Sequence, residues 1–215
     1  MTETPRVERL GRRHILESFA GPGVPADPGQ DGPDWITASP RGANGRKFRS
    51  AAVLVPVIER DDGLTLLFTR RTDHLSAHSG QISFPGGRME PDDGTPEATA
   101  LRETTEEIGL PADKISLAGR LNVRETGSGY RVVPVVGLIA PPLALVPDSN
   151  EVAAIFEVSL DFLIEPANHR FETRVRGNIE RQFYAIPYGE HFIWGLTARL
   201  VVDLSKVLRR RWSGS

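Results

Sequence analysis

Three glutamates, Glu103, Glu106 and Glu107, stand at positions i, i+3 and i+4 of the run Arg102-Glu103-Thr104-Thr105-Glu106-Glu107-Ile108-Gly109-Leu110. On an α-helix those positions share one face, so the carboxylates crowd together while Leu101 and Ile108 can pack inward. Like charges that close repel unless a cation stands between them. Carboxylate oxygens are preferred ligands of hard ions, and Mg²⁺ is usually held by a few carboxylates together with substrate phosphates. The spacing therefore points to metal-assisted chemistry on a phosphate, with a solvated acidic helix face as the alternative. The chain has no cysteine, which excludes a thiolate nucleophile, a disulfide framework and zinc-finger spacing.

The element that must carry these glutamates is marked in the sequence. Thr95 is a good N-cap, Pro96 suits the first helical position, Glu97 sits favourably in the first turn, and Gly109 supplies the C-terminal stop. Thr104 is expected to bond the carbonyl one turn back while its methyl faces the core. Upstream, Phe84-Pro85-Gly86-Gly87 lets the backbone turn sharply where no Cβ could be tolerated. Arg102 either pairs with one of the glutamates and holds it, or makes an i to i+4 surface pair with Glu106 worth about 0.3–0.5 kcal/mol.

Gly87 and the run from Arg102 to Leu110 resemble the signature of the Nudix hydrolases, which reads Gly, five residues, Glu, seven residues, then Arg-Glu-apolar-x-Glu-Glu-x-Gly-apolar. Two departures stand out. Asp93 takes the place of the first glutamate, eight residues rather than seven separate it from Arg102, and Thr104 fills the apolar slot. The resemblance implies a Mg²⁺ or Mn²⁺ site formed by the Gly87 carbonyl with Glu103, Glu106 and Glu107. It also implies catalytic roles for Glu103 and Arg102, and for a carboxylate from a later loop, here Glu151, whose alternative is a plain loop acid. Glu103 is a third ligand or the base near the attacking water, two roles the sequence does not separate. His74 and His78 are left unassigned.

A second stretch, Leu67-Phe68-Thr69-Arg70-Arg71-Thr72 followed by Gly80 and Phe84-Pro85-Gly86-Gly87, is similar to the extra motif of the coenzyme A pyrophosphatase branch, Leu-Leu-Thr-x-Arg-Ser/Ala-x3-Arg-x3-Gly-x3-Phe-Pro-Gly-Gly. The spacing holds throughout, but Ser76 falls where the second arginine belongs. Arg70, Arg71 and Arg88, with Gly86, are the substrate-binding candidates, each arginine having a solvated surface charge as its alternative. Residues 126–137, the segment from Asn150 to Phe162, and Ile193-Trp194-Gly195-Leu196-Thr197-Ala198-Arg199 resemble the same branch, so the likeness spans residues 48–208. It implies the α/β/α sandwich of the Nudix fold with a mixed sheet, and hydrolysis of the pyrophosphate of coenzyme A or its thioesters to adenosine 3′,5′-bisphosphate and a phosphopantetheine. The runner-up keeps the chemistry but takes ADP-ribose, a dinucleotide or a nucleoside triphosphate. A nucleotide-binding regulatory module without catalysis ranks last, because the carboxylates are all present.

The rest of the chain sets bounds. With 215 residues, 39% of them hydrophobic, and 26 basic against 28 acidic side chains, it reads as a globule of α/β class with no basic field for nucleic acid. Pro134, Pro141 and Pro142 break the most apolar stretch, so no membrane span is expected, and a cytoplasmic location is the default; a homodimer is one assembly left open, since the sequence does not fix the oligomeric state. Val7, Leu10, Ile15 and Phe19 suggest an N-terminal helix, followed by a Gly/Pro/Asp-rich arm to residue 47. A domain is expected over residues 48–208, then a basic tail, 209–215, in which Arg209, Arg210 and Arg211 complement the helix end. Strands are expected at 51–58 and 64–69 around Arg60-Asp61-Asp62-Gly63, at 115–123, 131–139 and 152–158, and a hairpin around Gly177-Asn178. Leu160 to Leu163 reads as a helical turn, and Phe192 to Leu208 as a C-terminal helix.

Overall fold

Strand β1 (Arg49–Arg60) reads RSAAVLVPVIER and is buried over 51–58 apart from half-buried Val53. A near-continuous apolar run of this kind belongs in the middle of a sheet covered on both faces. In the computed structural model, which describes residues 10–20, 47–73, 80–176 and 179–212, β1 does hold that place. It runs parallel to β7 (Tyr130–Ile139), from Arg49 opposite Tyr130 to Ile58 opposite Ile139. The remaining pairings are antiparallel, so the sheet is mixed.

Its eight strands include the path β3-β2-β1-β7-β5, with β4 on β1, β6 on β7 and β8 on β2. These are β2 (Gly63–Arg71), β3 (Ile82–Ser83), β4 (Gly86–Arg88), β5 (Ile115–Arg120), β6 (Arg124–Glu125) and β8 (Val152–Ser159). Alternate residues of β1 serve two cores. Ala52, Leu54 and Ile58 pack with Ala100 and Ile108 of helix α2 (Pro96–Ile108) and with Val133, Val135 and Ile139 of β7. Val55 and Val57 pack with Leu66, Phe68, Val136 and Leu138, and with residues of α1 (Arg12–Phe19), α3 (Leu160–Ile164) and α4 (Gly195–Trp212). Helices thus cover both faces, the α/β/α arrangement expected. Three further strands, β9 (Arg170–Arg176), β10 (Ile179–Tyr188) and β11 (His191–Trp194), form a separate antiparallel sheet in the order β11-β10-β9.

Most sequence expectations for these elements hold, with three corrections. The strand expected to reach Val123 ends at Arg120, where the chain turns so that the Leu121 N–H donates to the Pro134 carbonyl at 2.9 Å. Phe192 and Trp194 are strand residues, not helical: β11 pairs Phe192 with Pro187 and Trp194 with Ala185. Gly195, in the left-handed region at φ 66, then marks the switch to helix. At its other end α4 continues through Arg209, Arg210 and Arg211 to Trp212, so the basic run belongs to the last turn. Val7, His74, Ser76, His78, Gly177 and Asn178, and most of the Gly/Pro/Asp-rich arm, lie outside the described residues. Among the described residues, no helix is long and apolar enough to cross a membrane.

One feature of the sheet positions the candidate site. β1 and β2 pair only between Val57–Arg60 and Gly63–Leu66; beyond that they diverge. β4 takes the vacated edge of β1, opposite 51–53, and β3 takes the same edge of β2, opposite Thr69 and Arg70. The segment Phe84-Pro85-Gly86-Gly87 therefore wedges into a fork between two core strands, with the Pro85 carbonyl accepting from the Leu54 N–H at 2.8 Å. At Gly86, φ is 151, and a Cβ there would meet the Ala52 carbonyl and stand 2.5 Å from Val53 Cα. Backbone cannot yield as a flexible side chain does. Gly86→Ala is expected to lower unfolding stability by about 3 kcal/mol or more, read by urea denaturation; a parental midpoint would contradict the wedge.

Candidate functional site

Helix α2 forms as its caps dictate. Thr95 accepts from the Ala98 N–H at 3.1 Å, Pro96 takes the first position, and Gly109 closes the helix at φ 68 with its N–H on the Thr105 carbonyl. Thr104 is fully buried and donates to the Ala100 carbonyl at 2.6 Å, which reconciles a hydroxyl with the apolar slot.

The last carbonyls of a helix lack partners within it, and here the loop before β8 supplies them. The Val146 N–H donates to the Ile108 carbonyl and the Asp148 N–H to the Glu107 carbonyl, both at 2.9 Å. Asp148 in turn accepts from the N–H groups of Glu151 at 3.0 Å and Val152 at 2.8 Å, while the Glu151 carbonyl accepts from the Thr72 N–H at 2.9 Å. Glu151 is thus tied by backbone bonds to both the end of α2 and the end of β2. The β2–β8 register shifts between Arg70 and Arg71. Arg71, at that bulge, stands between Glu107 (3.8 Å) and Glu151 (3.6 Å).

From the other side the glycine wedge closes on the same helix. The Gly86 N–H donates to the Glu107 carboxylate, and a Cβ on Gly87 would collide with the Glu103 carboxylate. The structure thereby brings together Gly86, Gly87, Arg71, Glu103, Glu107 and Glu151. Glu106 sits at the rim, 58% exposed and held by Arg102 at 2.9 Å. Arg70 and Arg88 are exposed, with the Arg88 carbonyl accepting from Arg102 at 3.1 Å.

Arg102 has a partner that sequence reasoning left open. Asp93, 5% exposed, receives Nε of Arg102 at 2.8 Å and Nη2 at 3.0 Å, together with the Thr99 hydroxyl and the Glu90 N–H, each at 2.8 Å. The extra loop residue therefore ends in a clamp on Arg102, which reaches Glu103 at 3.1 Å. The signal for it was the acid itself, displaced by one position. The bond from Arg102 holds the Asp93 carboxyl down at about 2, and the same bond raises the guanidinium.

The glutamates behave in the opposite way. Burial pushes Glu107, whose side chain is 6% exposed, up to about 8; Arg71 opposes the shift, while Glu103 and Glu151 reinforce it. Burial raises Glu103 as well. Among the described residues, no three acidic or histidine groups already stand in a closed metal-ligating cluster, since arginines stand among the carboxylates. The chemistry of the acids nonetheless suits a hard divalent ion: Glu103 and Glu107 lie against the glycine backbone, and a cation would offset the like charge of Glu103 and Glu151 that disfavours ionisation of Glu107.

Comparisons with known proteins show the family. The NUDIX domain family matches residues 47–176. The uncharacterised Nudix hydrolase NudL of Yersinia pestis (strain Pestoides F) is 40% identical over 158 residues, which are 74% of this chain and 79% of that protein. RenU, a Nudix hydrolase from M. smegmatis, is similar in structure at TM-score 0.47 and 27% identity, over 55% of this chain and 77% of its own. The MutT protein from Methanosarcina mazei Go1 gives 0.49 and 17%, over 77% and 96%. Fold and site define a Nudix domain. The chain belongs to the Nudix hydrolases.

The Asp93 clamp has a pH signature. A carboxyl whose folded value lies below its ordinary 3.8 contributes stability that is present above pH 3.8 and lost as the pH falls toward 2. Parent and Asp93→Asn are expected to differ by about 2 kcal/mol at pH 6 and to converge near pH 2. Urea titrations across that range check it, and curves that stay parallel would contradict the clamp.

Proposed function

We propose that this Nudix hydrolase cleaves the pyrophosphate of coenzyme A or its thioesters, with Mg²⁺ or Mn²⁺ held by Glu103, Glu106 and Glu107 and the Gly87 carbonyl. The observation that carries the reading is that Glu103 and Glu107 lie against the Gly86-Gly87 backbone, with Arg71 standing between Glu107 and Glu151. A bound divalent ion would supply neutralisation of the diphosphate and a lowered pKa for a coordinated water.

The chain's own residues divide the remaining work. Arg71 offers its guanidinium to phosphate oxygens, since at 3.6 and 3.8 Å from its carboxylates it is not committed to either by a hydrogen bond. Arg70 and Arg88, both exposed, extend that positive edge toward the rest of the substrate. Glu103 or Glu151 takes the proton of the attacking water as its oxygen bonds one phosphorus and the P–O bridge breaks. Arg102 does not touch substrate in this scheme; held by Asp93, it fixes Glu103 and Glu106. The coenzyme A branch is supported by the motif from Leu67 to Gly87 and by the likeness over residues 48–208. Ser76 favours the second reading, a Nudix pyrophosphatase for ADP-ribose, a dinucleotide or a nucleoside triphosphate. The reading carries with it the sequence expectation of a cytoplasmic location.

Incubating the chain with a panel of diphosphates and Mg²⁺ or Mn²⁺, read by mass spectrometry, is expected to show coenzyme A cleaved in preference to its dephospho form. Equal or reversed preference would favour the second reading. Glu107→Gln is expected to cut turnover by at least about 100-fold with the fold intact. The linkage at this residue runs opposite to that at Asp93: a carboxyl raised from 4.5 to about 8 contributes stability below pH 4.5 that is lost as the pH rises through 8. A cation must therefore expel the proton that Glu107 keeps at neutral pH. Adding Mn²⁺ in weak buffer at pH 7 is expected to release up to about one proton per site, and none from Glu107→Gln; equal release from both would contradict the assignment.

A further inference from the structure

The family match ends at residue 176, yet the segment beyond it reaches the glycine wedge. β3, which leads into that wedge, is two residues long and pairs with β2 only at Ser83 and Ile82. The Arg71 N–H on the Gln81 carbonyl at 3.0 Å and the Thr69 hydroxyl on the Ser83 carbonyl at 3.3 Å tie its flanks to β2, while the carbonyl between them, that of Ile82, is served from elsewhere. The Ile82 carbonyl receives a hydrogen bond from the hydroxyl of Thr197, in the first turn of α4, at 3.0 Å across 115 residues of sequence. Thr197 is buried at 8% exposure, as is Ile82.

A column of rings converges on the same place. Phe84, the residue before Pro85, stacks on Phe68 with centroids 4.9 Å apart; Phe68 stacks on Phe156 at 5.5 Å, and Phe156 on His191 of β11 at 3.8 Å. The wedge is therefore supported from below by a hydrogen bond from α4 and from the side by rings that end on β11. Both supports come from the run His191 to Ala198, around the segment Ile193 to Arg199 that stood out in the sequence without a role.

We infer that Thr197 is a positioning residue for cation binding: through the Ile82 carbonyl it sets where the Gly86-Gly87 backbone meets Glu107 and Glu103. The coupling is short. From Ile82 the chain has four residues to Gly86, whose N–H donates to Glu107, and five to Gly87, which lies against the Glu103 carboxylate. Loss of the Thr197 hydroxyl leaves a buried carbonyl without that donor, and the chain shifts to satisfy it. A displacement of about 1 Å is enough to spoil a ligand set that depends on converging groups. The inference rests on the divalent-ion reading of the site, and its test separates the two.

Mn²⁺ binding is measured by calorimetry on the full chain for the parent, Thr197→Val, Thr197→Ser and Leu208→Ala. Thr197→Val keeps the shape and removes the donor; Thr197→Ser keeps the donor; Leu208→Ala removes buried carbon from the same helix about three turns away without touching β3. The expected result is Mn²⁺ affinity about fivefold or more weaker in Thr197→Val, near parental in Thr197→Ser, and unchanged in Leu208→Ala even though that variant unfolds at lower urea. Equal affinity in parent and Thr197→Val overturns the positioning role, as does an equal loss in Leu208→Ala, which would make the effect one of general stability. Should Thr197→Val fail to fold, Thr197→Ala takes its place as the variant without the donor: binding about fivefold or more weaker than in Thr197→Ser and Leu208→Ala carries the inference, and affinity equal to theirs overturns it. Absence of Mn²⁺ binding by the parent overturns the divalent-ion reading itself.

Discussion

Glutamates that repel one another are held near one another around the end of α2, and much of the local structure serves that arrangement. Side-chain attraction cannot do it, because Glu103 and Glu151 make ionisation of Glu107 less favourable, and Glu106 and Glu151 do the same to Glu103. The positioning comes from backbone: helix geometry places Glu103 and Glu107 on one face, the Asp148 N–H ties the Glu151 loop to the Glu107 carbonyl, and the Thr72 N–H ties it to β2. The glycine wedge presses on the same face because a core strand fork leaves it no other path. Rigid backbone absorbs a repulsion that mobile side chains would relieve by moving apart.

The two arginines among these acids play unlike parts, and distance decides which. Arg102 donates to Asp93 at 2.8 and 3.0 Å, a two-pronged bond to an acid that is itself buried and doubly hydrogen-bonded from Thr99 and Glu90. That arrangement is committed. Arg71 stands 3.6 and 3.8 Å from its acids, beyond hydrogen-bonding range, so its attraction is coulombic only and does not offset the burial of Glu107. A cation of that kind can turn to a phosphate without breaking a bond, whereas Arg102 could do so only by abandoning Asp93.

Much of this was legible in the sequence, and the division follows locality. The caps of α2, the packing of Thr104 and the placement of Glu103, Glu106 and Glu107 depend on residues within four positions of one another, so helical spacing alone predicts them. The hairpin of β1 and β2 was readable for the same reason. Asp93 could be seen as a departure, but its role depends on how an eight-residue spacer curls back on Arg102, which no periodicity encodes. The boundary between β11 and α4 escapes sequence spacing because Leu196, Leu200, Leu204 and Leu208 stand four apart without marking where the helix begins; the glycine at φ 66 and the pairing with β10 mark it. Thr197 lies in a segment whose likeness to the branch was visible, but its contact was not, since its partner lies 115 residues away.

The limits of the family match therefore do not mark the limits of the working unit. Ile186 and Ile193 of the second sheet, and Leu200, Val201 and Leu204 of α4, share one core with Val55 and Phe68 of the first. Each such buried side chain is worth roughly 1.5–3 kcal/mol relative to exposure, so several of them together exceed the net stability of a typical domain. A chain cut at residue 176 would expose that face of the sheet and free β3 at once. The strand that leads into the glycine wedge is thus joined, through the Thr197 hydroxyl and a shared core, to a helix that carries none of the site's acidic groups.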